Sequence, residues 1–426
     1  VEKDSSIQKL AINGGLATIN KPLQPYSSIG HEERAAVMRT FDRGSLSGFY
    51  GSWGPEFLGG REVKAFETAW ANKFSVPHAV SVNSATSGLY AALAAIGVGP
   101  GDEVIVPPTT MSATVMGPLL YGAIPVFVDV EADTFCLNLD AVKAEITPKT
   151  KAVIAVNLFG HPARLLELRN LCRHHGIALI EDNSQGPLAS ENGEYAGTVG
   201  DIGIFSLNYH KHIHTGEGGM CVTHNPELAF RLQAIRNHAE NVVEPAGVSP
   251  VNMIGFNYRM TEMSAAVGLE QLEKIEQQVL KRQWLAEKLS ANLNGLEGIT
   301  VPLVRQNCRH VYYVWAIRVN ELELGVSRDE FSAALQAEGF PNFVGYVRPL
   351  YLLPAFQKRI AIGKEGWPFT LTERTYEKGL CPVAEHLYEH ELICFETCAY
   401  DLNHEDSKKL IAAFRKVHTH RRSISI

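Results

Sequence analysis

"KAVIAVNLFGHPARLLELRNLCRHHGIALIEDNSQG", residues 151–186, decides the fold. It opens on an apolar, β-branched run and passes through the amphipathic stretch ARLLELRNLCRHHG. It closes on a second apolar run, IALIED, that ends in a polar turn. Strand, covering helix and strand make a βαβ unit, with parallel strands buried on both faces. The alternation continues in both directions. Upstream, HAVSV leads into the helical SGLYAALAAIGV, EVIVP into TMSATVMGPLLYGA, and IPVFVDV follows. Downstream come DIGIFSL and GGMCVTH, while VGPGDE and EDNSQG supply turn clusters. The expected fold class is α/β, a sheet with helices on both faces.

From about Met260 to Leu293 the text becomes long and helical, MTEMSAAVGLEQLEKIEQQVLKRQWLAEKLSANL, as in a helix that bridges two domains. Beyond it HVYYVWAIRV alternates like a strand, and RDEFSAALQAEG and SKKLIAAFRKVHTH read as amphipathic helices. The expected division is an N-terminal segment 1–35, a large domain 36–274 and a smaller α+β domain 275–426.

The 426 residues are 45% hydrophobic and 20% charged, with a formal net charge of -7. That profile suits a globular chain with two domains and argues against broad electrostatic binding of nucleic acid or anionic lipid. No run approaches the ~18 apolar residues of a membrane helix. The opening VEKDSSIQKLAINGG lacks the charged-then-apolar order of a signal peptide. Seven scattered cysteines without a Cys-x-x-Cys pair read as reduced thiols of a cytoplasmic protein. Cys394 and Cys398 have the spacing of one helix face.

Three stretches carry chemistry. In SVNSATSGLYAAL a strand ends at Val82, and a turn of small residues, Ser84, Ala85 and Thr86, leads to a helix expected to begin near Ser87. Such a turn aims backbone N–H groups outward at the positive end of a helix, where phosphate binds. Many strand-to-helix turns look alike, however. In IALIEDNSQG, Asp182 sits at the carboxyl end of a strand, where α/β proteins place ligands. There it could pair with a protonated pyridine nitrogen or merely cap the next helix. In FSLNYHKHIHTGEGG, residues 205–219, Lys211 has the setting of a Schiff-base amine, Ser206 can reach a phosphate, and the glycines allow a sharp turn. His210, His212 and His214 would point one way on a strand, as in a zinc site. No acidic or cysteine ligand is near, and the lysine lies between them, so no metal is expected.

In this order the blocks resemble one family. GVGPGDEVIVPPTT, GAIPVFVDV, EDNSQG, FSLNYHKHIHTGEGG and GFNYRMTEMSAAVGLEQL are similar to the DegT–DnrJ–StrS sugar aminotransferases, fold-type-I enzymes dependent on pyridoxal 5'-phosphate. The resemblance runs from about Ser47 into the C-terminal region. It implies a large domain with a mostly parallel seven-stranded sheet and a smaller α+β domain. It also implies that Lys211 holds the cofactor as a Schiff base and shuttles protons, and that Asp182 pairs with the pyridine nitrogen. Gln185 would lie near the ring hydroxyl, and Ser84, Ala85, Thr86 and Ser206 would hold the phosphate. Asn257 would reach the phosphate of the neighbouring subunit in a homodimer with shared sites. The implied reaction moves an amino group from L-glutamate or L-glutamine to a keto-sugar or keto-cyclitol, in amino-sugar, lipopolysaccharide or antibiotic biosynthesis.

There are departures. Met111 stands where relatives carry an aromatic residue against the cofactor ring, and a thioether has less fixed geometry. Asn157 and Tyr351 replace two histidines that in the family lie near the substrate. Arg259, Arg348 and Lys358 are candidate contacts for a nucleotide diphosphate, while the opening LAINGG is similar to the cyclitol-type members. A sugar dehydratase on the same fold is the alternative, since one branch has histidine in place of the lysine; Lys211 favours transamination. A non-catalytic sensor would not need the intact lysine and acid. A dinucleotide-dependent dehydrogenase would need a Gly-x-Gly-x-x-Gly after the first strand, which is absent.

Overall fold

Apolar strands buried on both faces join the central sheet of the computed structural model, which describes residues 9–247, 252 and 254–425. In chain order they are β1 (His78–Val82), β2 (Glu103–Val106), β3 (Ile124–Phe127), β4 (Thr150–Val156) and β5 (Ala178–Asp182). After the short hairpin β6 (Ser190–Glu191) and β7 (Glu194–Tyr195) come β8 (Ile202–Ser206) and β9 (Gly219–Thr223). The seven-stranded sheet has the order β1-β9-β8-β5-β4-β2-β3. Pairs from β8 to β3 are parallel, and β9 runs antiparallel between β1 and β8. Such parallel connections need crossover helices, and the amphipathic runs supply them.

A second sheet joins β10 (Ile299–Thr300), β12 (Val314–Val319), β13 (Phe343–Val344) and β14 (Leu392–Glu396), antiparallel in the order β10-β12-β14-β13. The strand β11 (Cys308–Arg309) pairs with β6 of the hairpin. Two hydrophobic cores correspond to the two larger sheets. The helix Glu262–Leu293 joins them as one continuous element, capped by Thr261, whose hydroxyl accepts from Ser264 N–H. Its 32 residues span ~48 Å. The boundary expected between 274 and 275 lies inside it: Ile275 and Val279 belong to the first core, Leu285 and Leu289 to the second.

The chain then returns. Between β13 and β14, Leu350, Phe356, Phe369 and Tyr376 pack in the first core. Residues 1–8 of the N-terminal segment lie outside the described residues. Leu10, Ile19 and Leu23 belong to the second core, where the Glu338 carboxylate accepts from Ala11 N–H at 2.8 Å and Thr18 N–H at 2.9 Å. Cys394 and Cys398 do not share a helix face. Cys394 is in β14 and Cys398 in the following 3-10 turn, because Leu-Ile-Cys-Phe pairs as a strand against β12. All seven cysteines are free thiols. Among the described residues no helix is long and apolar enough to cross a membrane.

Packing, not helix propensity, decides one residue in the long helix. Alanine ordinarily stabilises a helix interior by about 1 kcal/mol over glycine. A Cβ at Gly268, however, would lie 2.6 Å from Cζ of the fully buried Phe66. Overpacking of this kind costs about 1–3 kcal/mol. Gly268→Ala is therefore expected to lower the urea midpoint; a raised midpoint would contradict this helix contact.

Candidate active site

The register of β9 assembles the site. Gly219, its first residue, pairs with Val82 at the end of β1 and with Ser206 at the end of β8. The small-residue turn, the serine and the exit of the lysine loop are thereby brought side by side. A Cβ at position 219 would lie 2.7 Å from Ala85 N, so the strand passes under the turn only as glycine. The helix begins at Ala85, not near Ser87, because Ser84 is its N-cap and its hydroxyl accepts from Ser87 N–H at 3.1 Å. Gly88 N–H goes to Ser84 O, also at 3.1 Å. The amides of Ala85 and Thr86 are left without intrahelical acceptors.

Strand alternation divides the acidic pair at the end of β5. Glu181 is fully buried and accepts from Gly197, Val199 and Gly200 N–H at 2.6–2.7 Å. Asp182 instead lines the pocket. Its Oδ2 accepts from Thr114 Oγ1 at 3.0 Å and its Oδ1 from Ser184 N–H at 3.2 Å. Thr110 stands 3.2 Å behind Thr114. One carboxylate ties a loop; the other is held ready for a ligand.

Lys211 lines the same pocket and is 8% exposed. Burial lowers its pKa to about 8, against the opposing pull of the Asp182 charge. Its Nζ lies 4.1 Å from the centroid of the Tyr313 ring. The loop is pinned just beyond it: Tyr26 OH donates to His212 O at 2.8 Å, and His212 Nε2 lies 2.9 Å from Val311 O. Burial, then the neighbouring Lys211, lowers the pKa of His210 to about 4, so this pocket imidazole is neutral at pH 7.

The expected residues Ser84, Ala85, Thr86, Met111, Asp182, Gln185, Ser206 and Lys211 line one pocket. Met111 lies at its mouth, 62% exposed. Asn257 does not line its own chain's pocket; it is exposed, and its Oδ1 accepts from Arg259 Nε at 2.8 Å. Arg259, Arg348 and Lys358 do not line it either.

Other expectations need correction. The three histidines are not on a strand. His210 faces the pocket, His212 is fully buried against Val311 O, and His214 Nδ1 accepts from Gly216 N–H. Asn157 does not line the pocket: its Nδ2 donates to Asn183 Oδ1 at 2.9 Å and its Oδ1 accepts from Ala163 N–H at 2.9 Å. Tyr351 is core; its ring packs on Phe127 at 5.4 Å and its hydroxyl donates to Glu385. Sequence reasoning missed Thr114, Tyr313 and Tyr346. Tyr346, from the far end of β13, accepts at its hydroxyl from Gln185 Nε2 at 2.8 Å.

The DegT/DnrJ/EryC1/StrS aminotransferase family model matches residues 53–394. GDP-perosamine synthase of Caulobacter vibrioides is 36% identical over 303 residues, 70% of this chain and 79% of its own. The L-glutamine:2-deoxy-scyllo-inosose aminotransferase of Streptomyces kanamyceticus is 32% identical over 432 residues, 97% of each chain. The crystal structure of S. venezuelae DesV in complex with a ketimine intermediate is similar, with a TM-score of 0.79 and 30% identity. That match covers 93% of this chain and 99% of DesV.

An amine reacts with an aldehyde only when unprotonated. Capture of pyridoxal phosphate by the apoprotein, followed by absorbance, is therefore expected to accelerate up to a midpoint near pH 8 and then level off. A midpoint near 10.5, the ordinary lysine value, would contradict the buried amine.

Proposed function

We propose, from the premise that this chain belongs to the DegT/DnrJ/EryC1/StrS aminotransferase family, that it passes an amino group from L-glutamate or L-glutamine to a keto-sugar or keto-cyclitol, with Lys211 as the amine that holds the cofactor. The protein is a pyridoxal-phosphate-dependent aminotransferase of fold type I. The observation that carries the residue assignment is the meeting of Lys211, Asp182 and the uncommitted amides of Ala85 and Thr86 in one pocket.

The donor set fits the cofactor at each end. Two amides at a helix N-terminus suit a phosphate dianion. Ser206 adds a hydroxyl whose oxygen accepts from Asn208 N–H at 3.3 Å, which leaves its proton to donate. Asp182, locked by Thr114 and Ser184, holds a proton on a pyridine nitrogen. When bound, pyridoxal phosphate supplies an aldehyde that takes up the amino group and a ring that accepts electrons.

The chain's own residues then perform proton transfer. Lys211 removes the proton from the donor's α-carbon and, in the second half-reaction, delivers one to the former carbonyl carbon of the acceptor. Its lowered pKa suits both tasks near neutrality, and transfer of this kind is worth roughly 10²–10⁴-fold. Neutral His210 adds no positive charge to compete with the amine. The names of the two curated relatives support a sugar or cyclitol acceptor.

The exposed Asn257 supports a homodimer in which Asn257 of the partner subunit reaches the phosphate. The free thiols support a cytoplasmic protein, and the acidic net charge supports one that binds neither nucleic acid nor membrane.

Titration of the loaded protein with glutamate or glutamine is expected to bleach its visible band, and a matching keto-acceptor to restore it. Lys211→Ala should lose turnover; normal transamination by that variant would defeat the assignment. Co-expressed Lys211→Ala and Asn257→Ala chains should recover activity that neither shows alone, because a mixed dimer contains one intact site. No recovery in purified mixed dimers would contradict shared sites.

A further inference from the structure

Two left-handed residue pairs flank Gln185. From the large sheet, β4 leads to Phe159 (φ +58°) and Gly160 (φ +93°); from the second sheet, β13 leads to Gly345 (φ +72°) and Tyr346 (φ +64°). The glycines are required by contact as well as by φ. A Cβ at 160 would lie 2.9 Å from Gln185 O, and one at 345 would lie 2.7 Å from Tyr388 O. A bulky residue at positive φ is disfavoured, and it persists where its surroundings over-determine it, often at functional sites.

Phe159 and Tyr346 each hold one end of the same side chain. Phe159 N–H donates to Gln185 Oε1 at 2.7 Å, and Gln185 Nε2 donates to the Tyr346 hydroxyl at 2.8 Å. The two rings pack edge to face, with centroids 4.9 Å apart at 82°. Because Oε1 is committed to a backbone N–H, the carboxamide cannot flip, so the phenol oxygen is the acceptor. The second proton on Nε2 has no acceptor among the described residues, and Gln185 lines the pocket at 5% exposure. Tyr346 is itself fixed on either side. Gly345 N–H donates to Leu392 O at 3.0 Å, and Leu350 N–H donates to Pro108 O at 2.8 Å, next to the loop that carries Thr110 and Met111.

We propose that Tyr346 is a positioning residue: its left-handed backbone is retained because the phenol locks the Gln185 carboxamide, leaving one Nε2 proton for the ring oxygen of the bound cofactor. The inference rests on the reading of Gln185 given above and adds a residue from the second sheet to the cofactor's setting. A donor fixed at that oxygen stabilises its negative charge. The proton on the neighbouring Lys211 nitrogen is then lost at lower pH than it would be with a loose carboxamide.

The test is the pH midpoint of the visible band in the pyridoxal-phosphate-loaded protein. Tyr346→Phe is expected to raise it by about half a unit, roughly threefold in the proton equilibrium. The same change added to Gln185→Ala should shift nothing further, because the phenol acts only through the carboxamide. Tyr346→Gly, which suits the backbone and also lacks the phenol, should shift the midpoint as Tyr346→Phe does. An unmoved midpoint in Tyr346→Phe and Tyr346→Gly, or additive shifts in the double variant, would overturn the proposal. A wild-type protein with no visible band would instead overturn the reading of Lys211, so the two failures are distinguishable.

Discussion

One antiparallel strand in an otherwise parallel sheet makes the site possible. Because β9 runs against its neighbours, its first residue lies where β1 and β8 end, and Gly219 touches both. A glycine there lets the Ser84–Thr86 turn sit directly over the strand. The loop between β8 and β9 must leave Ser206 and return to Gly219 within the same small region. Lys211 lies on that loop, so its amine stays above the sheet end that carries Asp182. The small-residue turn, the acid and the amine are fixed by strand pairing rather than by the mobility of any one loop.

The segment between β13 and β14 adds a second constraint. It leaves the smaller sheet and is fastened to the larger one's edge. Arg374 pairs with Glu103 and Glu145, and Tyr376 OH donates to Pro125 O. The Asp129 carboxylate accepts from Val383 and Ala384 N–H, at the start of the helix Pro382–His386. Glu103 is buried and Arg374 half-buried, so removing either partner would leave a poorly solvated charge uncompensated. Tyr346 enters the pocket at the head of the segment, and Tyr313 enters from just before β12. The pocket wall from the smaller sheet is thus anchored to the larger one through many contacts.

What could be read from the sequence follows from the range of each interaction. Strand runs, the small-residue turn after β1, Asp182 at a strand end and Lys211 before a glycine turn are local patterns. Each is where the local reading put it, except that the helix after the turn starts at Ala85 rather than near Ser87. Thr114, Tyr313 and Tyr346 acquire their roles only through contacts with residues far along the chain, and nothing near them in sequence signals those contacts. The left-handed backbone at Phe159 and Tyr346 is equally silent, because neither residue type favours it. Spacing misled at Cys394 and Cys398, where four positions fit a helix turn as readily as a strand followed by a 3-10 turn. Asn157 and Tyr351 were judged by position in a motif, yet one ends in a buried amide network and the other in an aromatic core.

The covalent bond at Lys211 is the claim on which all the others stand. Reduction of the pyridoxal-phosphate-loaded protein with borohydride, followed by peptide mapping, tests it directly. The account predicts a single phosphopyridoxyl label on the peptide that contains Lys211. A label on a different lysine, or none at all, would contradict it.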